Sequence, residues 1–256
     1  MKSFSIILVC IITLQSCENY SNNELIGDKA DITSSTRKWL NYQWKYIEWH
    51  KDYTAFNTDK KAITKIDFLK ELCTGTKIPM RLNKADVVAY ILQDLNLKRK
   101  VDREIGEGLS STCYYKLKLA EMEGKKLPDF NWTSINGEKM TNETLLTATL
   151  VINTWFLNCL PCKQEIPQLN KIIETYKNKS NIKFIALSFD PKNKVEHFLQ
   201  KTPFYYIQVP EQESYLKTKL GIQSYPTHLV IINDTIVKAL NDPYHLEDYL
   251  KSIVTK

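Results

Sequence analysis

Two cysteines separated by two residues, Cys159 and Cys162, are the side chains of this chain with the clearest capacity for chemistry. They follow an apolar run over residues 150–157 and precede a helix-compatible stretch over residues 163–177. A helix N-terminus carries partial positive charge and free N–H groups, which favour a thiolate over a thiol. Because the thiolate attacks disulfides, the pattern predicts thiol–disulfide exchange. A buried cysteine pair, a structural disulfide and half of a zinc site are alternatives that the spacing alone leaves open.

The segments that must position these cysteines predict a sheet covered by helices. Residues 182–189 form a second, nearly continuous apolar run, which fits a parallel strand covered on both faces. The one helix between this run and the run at 150–157 predicts a right-handed crossover. Asn136 and Gly137 mark a hairpin turn between two short strands. Further helices are predicted over residues 193–201, 211–220 and 245–254, and further strands over residues 204–209, 228–232 and 236–239.

The N-terminal half contains one predicted helix and a cluster of aromatic residues. Residues 83–96 have the spacing of an amphipathic helix capped by Asn83. Its inward positions are Ala85, Val88, Leu92 and Leu95. The aromatic residues fit both helical and strand spacing, and they belong either to the core of a small domain or to a partner-binding surface. They are Trp39, Tyr42, Trp44, Tyr46, Trp49 and Tyr53.

The chain divides near residues 121–126, a polar stretch that precedes an extended segment beginning at Pro128. We therefore expect a small, largely helical N-terminal domain over residues 36–121 and a second domain over residues 124–256. Cys73 and Cys113 of the first domain either form a structural disulfide or stay as separate buried thiols, and the sequence does not choose between these.

The start of the chain has the features of an export signal. Residues 1–17 combine a charged Lys2 with a short apolar core that is too short to span a bilayer. The core ends in Leu14-Gln15-Ser16-Cys17, which resembles the bacterial lipoprotein signal and implies cleavage before Cys17 and lipidation of its thiol. An ordinary secretory signal is the alternative. Residues 18–35 are polar and are expected to form a flexible tether. Both signals predict an extracytoplasmic, periplasm-facing protein.

The overall composition is that of a globular protein and argues against one class of partner. The chain has 256 residues, of which 43% are hydrophobic and 25% charged, enough for two modest domains. Its net charge of +6 is spread along the chain and not concentrated in one arm. We therefore expect no nucleic-acid binding.

Three motifs occur in a fixed order in the C-terminal half. They are Leu127-Pro128-Asp129-Phe130, residues 153–167 around the two cysteines, and residues 221–228 around Pro226. Together they resemble the motifs of the TlpA/ResA-like extracytoplasmic thiol-disulfide oxidoreductases of the thioredoxin superfamily. The resemblance implies an α/β class with a C-terminal thioredoxin-like fold, a central mixed sheet flanked by helices. Asn153 fits the ResA-like group, which tends to have Asn where thioredoxin has a buried Asp.

The resemblance also implies roles for the residues around the cysteines. Cys159 would be the exposed nucleophile, and Cys162 would be more buried and would resolve the mixed disulfide. Glu165 would handle a proton near Cys162, whose helix face it shares, unless it is an ordinary surface glutamate. The ammonium of Lys163 would favour the thiolate of Cys159, although an exposed lysine is equally ordinary at this position.

Pro226 is the expected cis-proline of this fold, and a plain trans-proline in a turn is the alternative. In the family this loop lies against the active site, and the residue before the proline, here Tyr225, pairs its backbone with an incoming peptide. The four histidines do not cluster in sequence, and each is expected to be a surface or a hydrogen-bonded histidine and not a ligand. They are His50, His197, His228 and His245.

The sequence thus predicts a membrane-anchored lipoprotein that exchanges the Cys159–Cys162 pair with exported, cysteine-containing proteins, in the direction of reduction that is commonest in the family. No cofactor and no metal are expected, because the cysteines themselves carry the electrons, and an upstream redox partner would supply them. One alternative is a disulfide isomerase or a thiol peroxidase; the peroxidase is disfavoured because its reactive cysteine lacks a Cys-x-x-Cys partner. Another is a non-enzymatic binding lipoprotein that uses the fold as a scaffold.

Overall fold

The structure, a computed structural model, describes residues 25–84, 87–145, 147–178 and 181–254. The predicted signal over residues 1–17, Cys17 and the first part of the tether lie outside these ranges. Within the described ranges, no helix combines the length and the apolar character needed to cross a bilayer.

Eight α-helices and eleven strands are found in these ranges, together with one short π-helix at Tyr215–Lys219. The helices are α1 Lys29–Ile32, α2 Thr36–Tyr46, α3 Lys65–Cys73, α4 Lys100–Met122, α5 Asn142–Leu145, α6 Leu160–Tyr176, α7 Lys192–Lys201 and α8 Pro243–Val254. The strands are β1 Thr54–Phe56, β2 Ala62–Ile63, β3 Lys77–Arg81, β4 Ala89–Asp94, β5 Asn131–Thr133, β6 Lys139–Thr141, β7 Thr149–Trp155, β8 Ile182–Ser188, β9 Ile207–Val209, β10 Thr227–Ile232 and β11 Thr235–Leu240.

The C-terminal half is built on a mixed five-stranded sheet in the order β11-β10-β7-β8-β9. β7, β8 and β9 run parallel, whereas β10 is antiparallel to both β7 and β11. α6 connects β7 to β8 as the predicted crossover. The α/β class and the mixed sheet flanked by helices are therefore confirmed. The predicted hairpin is also present, because β5 and β6 pair on either side of the turn at Gly137.

Each face of this sheet has its own apolar core because side chains alternate along the strands. Val151 and Trp155 of β7 pack with α6 and α8 on one face. Leu150 and Ile152 point to the opposite face, where they pack with Leu229 of β10. On the first face, the buried residue between Val151 and Trp155 is polar, since it is Asn153. This residue belongs to the candidate active site.

The N-terminal half contains a four-stranded sheet, in the order β2-β1-β4-β3, in addition to the expected helices. The predicted helix over residues 83–96 is wrong, since β4 occupies Ala89–Asp94 between β1 and β3. The reason is burial. Four consecutive residues, beginning with Ala89 and Tyr90, are buried. Consecutive side chains can all be buried in a strand in the middle of a sheet that is covered on both faces. Apolar residues at helical spacing also occur within such a continuous run, so the spacing was not decisive.

The part of the tether that the structure describes is folded, so the expected flexible tether is wrong for residues 25–35. Leu25 forms a β-bridge with Leu82, and Ile32 of α1 is buried in the N-terminal core. Ser35 caps α2 by accepting a hydrogen bond from the N–H of Lys38. The helical alternative is correct for the first aromatic residues, which lie on α2, whereas the chain has left the helix before Trp49.

α4 is a long helix whose two faces belong to different cores. Cys113 and Leu117 pack into the N-terminal core, whereas Leu119 is buried in a core of the C-terminal half and Tyr115 packs against that same core. The helix ends at Met122, within the polar stretch that the sequence analysis chose as the boundary. The two halves are therefore joined through one continuous helix.

α3 and α4 are held together by a covalent link and by a close backbone approach. Cys73 and Cys113 form a disulfide with their Cα atoms 5.2 Å apart, which selects the first of the two alternatives left open for this pair. The carbonyl oxygen of Gly75 lies so close to Gly106 that a Cβ atom at Gly106 would be 1.9 Å from it. Ser110 adds a hydrogen bond of 2.7 Å to the carbonyl of Cys73.

Candidate active site

Cys159 and Cys162 lie at the N-terminus of α6 and form a disulfide, with their Cα atoms 5.3 Å apart. Cys159 is the N-cap residue, and its Sγ accepts a hydrogen bond of 3.2 Å from the backbone N–H of Cys162. Pro161 occupies the first turn, where the missing N–H has no helical partner to lose. A thiolate at Cys159 would meet the same N–H and the positive end of the helix, so the geometry favours its formation.

Both sulfur atoms are shielded in this oxidised form. Cys159 is 4% exposed and Cys162 is 2% exposed. The expectation of an exposed Cys159 is thus wrong for the disulfide state, because the bond to Cys162 holds its sulfur against the helix terminus. Leu160, between them, is exposed. Lys163 is half-buried.

Glu165 is buried one turn beyond Cys162 and belongs to a closed hydrogen-bond network. It is 8% exposed, so the alternative of an ordinary surface glutamate is wrong. Asn153 donates through Nδ2 to Glu165 Oε1 at 3.1 Å, and His228 Nε2 lies 3.3 Å from Glu165 Oε2. Asn153 Nδ2 also lies 3.3 Å from His228 Nδ1. The strand register explains this arrangement, because His228 of β10 pairs directly with Asn153 of β7.

An arrangement in which Asn153 donates twice satisfies every contact of the network. The Asn153 amide has two N–H groups, one for Glu165 and one for Nδ1 of His228. In this arrangement His228 accepts at Nδ1 and donates from Nε2, and Glu165 accepts from both Asn153 and His228. A buried carboxylate is stabilised by such charge-assisted hydrogen bonds. The site therefore holds a proton acceptor in the apolar layer that contains Cys162.

Two buried tyrosines feel the charge of Glu165. Burial raises the pKa of Tyr206, and the negative charge of Glu165 adds to the effect. Burial also raises the pKa of Tyr115, while its hydrogen bond with Thr227 opposes this and Glu165 adds a smaller increase. The hydroxyl of Tyr206 is buried without a hydrogen-bond partner among the described residues. Both phenols therefore remain protonated at neutral pH.

The loop before β10 contains the predicted cis-proline, since the Tyr225–Pro226 peptide bond is cis. Thr154 of β7 holds this loop: its hydroxyl accepts from the N–H of Thr227 at 3.1 Å and donates to the carbonyl of Thr227 at 3.2 Å. The hydroxyl of Thr227 donates to the carbonyl of Ser224 at 2.9 Å. The loop is thereby fixed to the strand that leads to Cys159.

An aromatic cluster of Phe156, Phe189 and Tyr225 stands beside the cysteines. Phe156 stacks on Phe189 with centroids 4.9 Å apart, and Tyr225 meets their edges at 5.4 and 5.8 Å. Tyr225 and Phe156 also pack against the apolar core that includes both cysteines. This cluster was not predicted from the sequence, because its members come from three separate segments.

The structure thus brings the predicted residues Cys159, Cys162, Glu165 and Tyr225 to one layer and adds His228, to which the sequence gave little weight. His50 and His245 stack on each other at 3.9 Å, outside the contacts described for this site. Among the described residues, no cluster of three or more His, Cys, Asp or Glu side chains has the arrangement of a metal site.

The C-terminal half of this chain is similar to known redox proteins. The model of the AhpC/TSA family matches residues 124–240. The thiol-disulfide oxidoreductase ResA of Bacillus thuringiensis subsp. konkukian is 31% identical over 149 residues, which cover 54% of this chain and 83% of that protein. The thioredoxin-like protein YneN of Bacillus subtilis is 23% identical over 131 residues, 50% of this chain and 76% of that protein. A solved thiol-disulfide oxidoreductase from Bacteroides fragilis is 22% identical, with a TM-score of 0.46 over 50% of this chain and 99% of that chain.

Proposed function

Because this chain belongs to the family of the ResA thiol-disulfide oxidoreductases, we propose that it exchanges the Cys159–Cys162 pair with disulfides of other exported proteins. The observation that carries the proposal is the disulfide at the N-terminus of α6, where Cys159 Sγ accepts a backbone N–H. A purely structural disulfide has no need of this position, whereas a nucleophile gains thiolate character from it.

The exchange begins from the reduced form of the protein. The thiolate of Cys159 attacks one sulfur of a client disulfide, forms a mixed disulfide and releases the other client sulfur as a thiolate. The thiolate of Cys162 then attacks Cys159 Sγ, which forms the intramolecular disulfide and releases the second client thiolate. Two electrons pass from the cysteine pair to the client, so no cofactor is required, and an upstream thiol donor must reduce the pair again.

Glu165 has the position of a base for the second step. The resolving thiol of Cys162 must lose its proton before it attacks, and Glu165 is the carboxylate on the same helix face one turn away. Asn153 and His228 hold the side chain of Glu165 in position through hydrogen bonds. The cis-proline loop and Tyr225 supply the surface against which the client backbone lies.

Trapping of mixed disulfides tests the exchange. A Cys162→Ser variant retains the attacking thiol but lacks the resolving one, so exported client proteins should stay covalently bound to it through Cys159. Cys159→Ser is the matched control, because it keeps one cysteine at the same site and should trap far fewer clients. Equal trapping by both variants, or none by either, contradicts exchange and favours a non-enzymatic scaffold.

The direction of exchange follows from the reduction potential of the pair. We propose reduction, which requires a value near about −270 mV, similar to that of thioredoxin. A value of about −120 to −180 mV would instead indicate an oxidase or an isomerase. The potential is measured by equilibrating the protein with glutathione or dithiothreitol buffers and quantifying the two redox forms.

We further propose that a lipid on Cys17 anchors the mature protein to a membrane and faces it toward the periplasm. The support is the sequence Leu14-Gln15-Ser16-Cys17 after a short apolar core. Detergent phase partitioning of cell extracts tests this: the wild type should enter the detergent phase, and a Cys17→Ser variant should not. A Cys10→Ser variant, which changes a cysteine inside the signal, should behave like the wild type.

A further inference from the structure

A tyrosine of α4, outside the sheet that carries the cysteines, reaches the cis-proline loop. The hydroxyl of Tyr115 lies 3.2 Å from the carbonyl oxygen of Pro226 and 3.2 Å from Oγ1 of Thr227. Since the hydroxyl of Thr227 already donates to Ser224, its oxygen is free to accept. The hydroxyl proton of Tyr115 therefore has two acceptors in the loop, the carbonyl oxygen of Pro226 and the side-chain oxygen of Thr227.

The backbone that carries this hydroxyl is fixed by the N-terminal half. Two residues before Tyr115, the disulfide between Cys73 and Cys113 ties α4 to α3. One turn earlier, Ser110 bonds to the carbonyl of Cys73 at 2.7 Å. α4 thus has a covalent and a hydrogen-bonded attachment on one face, while Tyr115 extends from the other face into the C-terminal core.

The chemical state of Tyr115 suits a fixed donor. Burial raises the pKa of its phenol, and the nearby carboxylate of Glu165 opposes ionisation further. The hydroxyl therefore keeps its proton over the pH range in which thiols exchange.

We propose that Tyr115 is a positioning residue for the cis-proline loop, and that the N-terminal half thereby forms part of the client-binding site. This inference deepens the proposed function and rests on it. The loop segment presents the backbone of Tyr225 to the client, so its position determines how well a client strand docks. Cys159 and Cys162 are not contacted by Tyr115, so the chemistry after docking should be unaffected.

The test compares Tyr115→Phe with Tyr114→Phe in the full chain. Tyr114 is the next residue of the same helix and is 54% exposed, so its variant loses the same atom without touching the loop. Hydrogen–deuterium exchange is measured over residues 221–228, and steady-state exchange is measured with a peptide containing one disulfide and dithiothreitol as the reductant. Loss of one hydrogen bond predicts amide exchange about fivefold faster in this segment and a KM about fivefold higher, with kcat within about twofold of the wild type.

Two results would overturn the inference: identical exchange of residues 221–228 in both variants, or a fall in kcat at unchanged KM. If the wild type itself fails to reduce the peptide, the proposed function fails, and the hydrogen–deuterium comparison alone then decides whether Tyr115 holds the loop. Should Tyr115→Phe unfold, Ser110→Ala loosens the attachment of α4 to the carbonyl of Cys73 and leaves the hydrogen bonds within the loop in place. This variant should likewise accelerate amide exchange in the loop, and unchanged exchange would overturn the inference.

Discussion

Glu165→Gln is the substitution that most directly separates the two chemical steps of the proposed reaction. The change removes the negative charge of a buried side chain while keeping its size and its ability to accept a hydrogen bond from Asn153. Cys159, at the helix terminus, is left untouched. If Glu165 takes the proton of Cys162, the variant should form the mixed disulfide at the normal rate and resolve it slowly.

The expected size of the effect follows from the helix geometry. Residues three positions apart lie on one helix face, where their side chains are within reach of each other. A general base acts across about 2.6–3.2 Å between heavy atoms or through one water molecule, so transfer from Cys162 to Glu165 is compatible with either route. General-base catalysis contributes about 10²–10⁴-fold, and we expect the lower end, about a hundredfold slower resolution, or about 2.7 kcal/mol in the barrier.

Rapid-quench kinetics with reduced protein and an excess of a disulfide peptide measure both steps in one experiment. Acid quenching and mass spectrometry quantify the free protein, the mixed disulfide and the oxidised protein at each time. In Glu165→Gln the mixed disulfide should accumulate transiently to a high level. Glu174→Gln is the matched control, because Glu174 lies on the same helix but is 52% exposed, and it should match the wild type.

Resolution at the wild-type rate in Glu165→Gln would refute the assignment of the proton to this carboxylate. Slower attack with unchanged resolution would also refute it, since the charge would then act on Cys159. Loss of both steps together with a lower unfolding midpoint would show that the carboxylate serves mainly to fill the network with Asn153 and His228.

Three further predictions concern stability. Gly106→Ala should lower the free energy of unfolding, measured by urea titration, by about 3 kcal/mol, because its Cβ would lie 1.9 Å from a backbone carbonyl oxygen. Gly108→Ala is the control: its Cβ would have no neighbouring atom within 4 Å, and it should raise the free energy of unfolding by about 1 kcal/mol. Cys113→Ser should cost about 4 kcal/mol, worked from the separation of 40 residues closed by its disulfide with Cys73, and should cost far less once the wild type is also reduced. Burial lowers the pKa of Lys116 from 10.5 to about 8. Between about pH 8 and pH 10.5 the unfolded chain therefore binds more protons than the folded chain, so the free energy of unfolding of the wild type rises with pH. Lys116→Met should raise the free energy of unfolding by at most about 3 kcal/mol at pH 7, and by progressively less up to pH 10.5. A constant difference across that range would refute it.

The C-terminal architecture was predictable because its signals are local. The runs that became β7 and β8 are continuous and apolar, and one helix separates them, so strand type and connection follow from the sequence. The cysteine pair lies at the start of the helix that follows β7, and Pro226 directly precedes β10. The resemblance supplied the cis geometry, which composition and spacing do not determine.

The features that could not be predicted depend on contacts between segments that are far apart in the sequence. His228 approaches Glu165 because β10 pairs antiparallel with β7 in a register that no local pattern reveals. The misassigned residues 83–96 show the opposite problem, since a buried strand and an amphipathic helix share the same apolar positions there. Tyr115 is separated from Pro226 by 111 residues, so its contact with the loop was outside the reach of sequence reasoning.

The helix shared by the two cores has a consequence for how this protein unfolds. In a chain assembled from independent modules, the border is a linker, and either module can be replaced without changes in the other. Here Leu117 of α4 packs into the N-terminal core, and Leu119, two residues further along the same helix, packs into a core of the C-terminal half. Loss of the N-terminal half would uncover apolar surface on the C-terminal half, so the two halves should melt in a single transition.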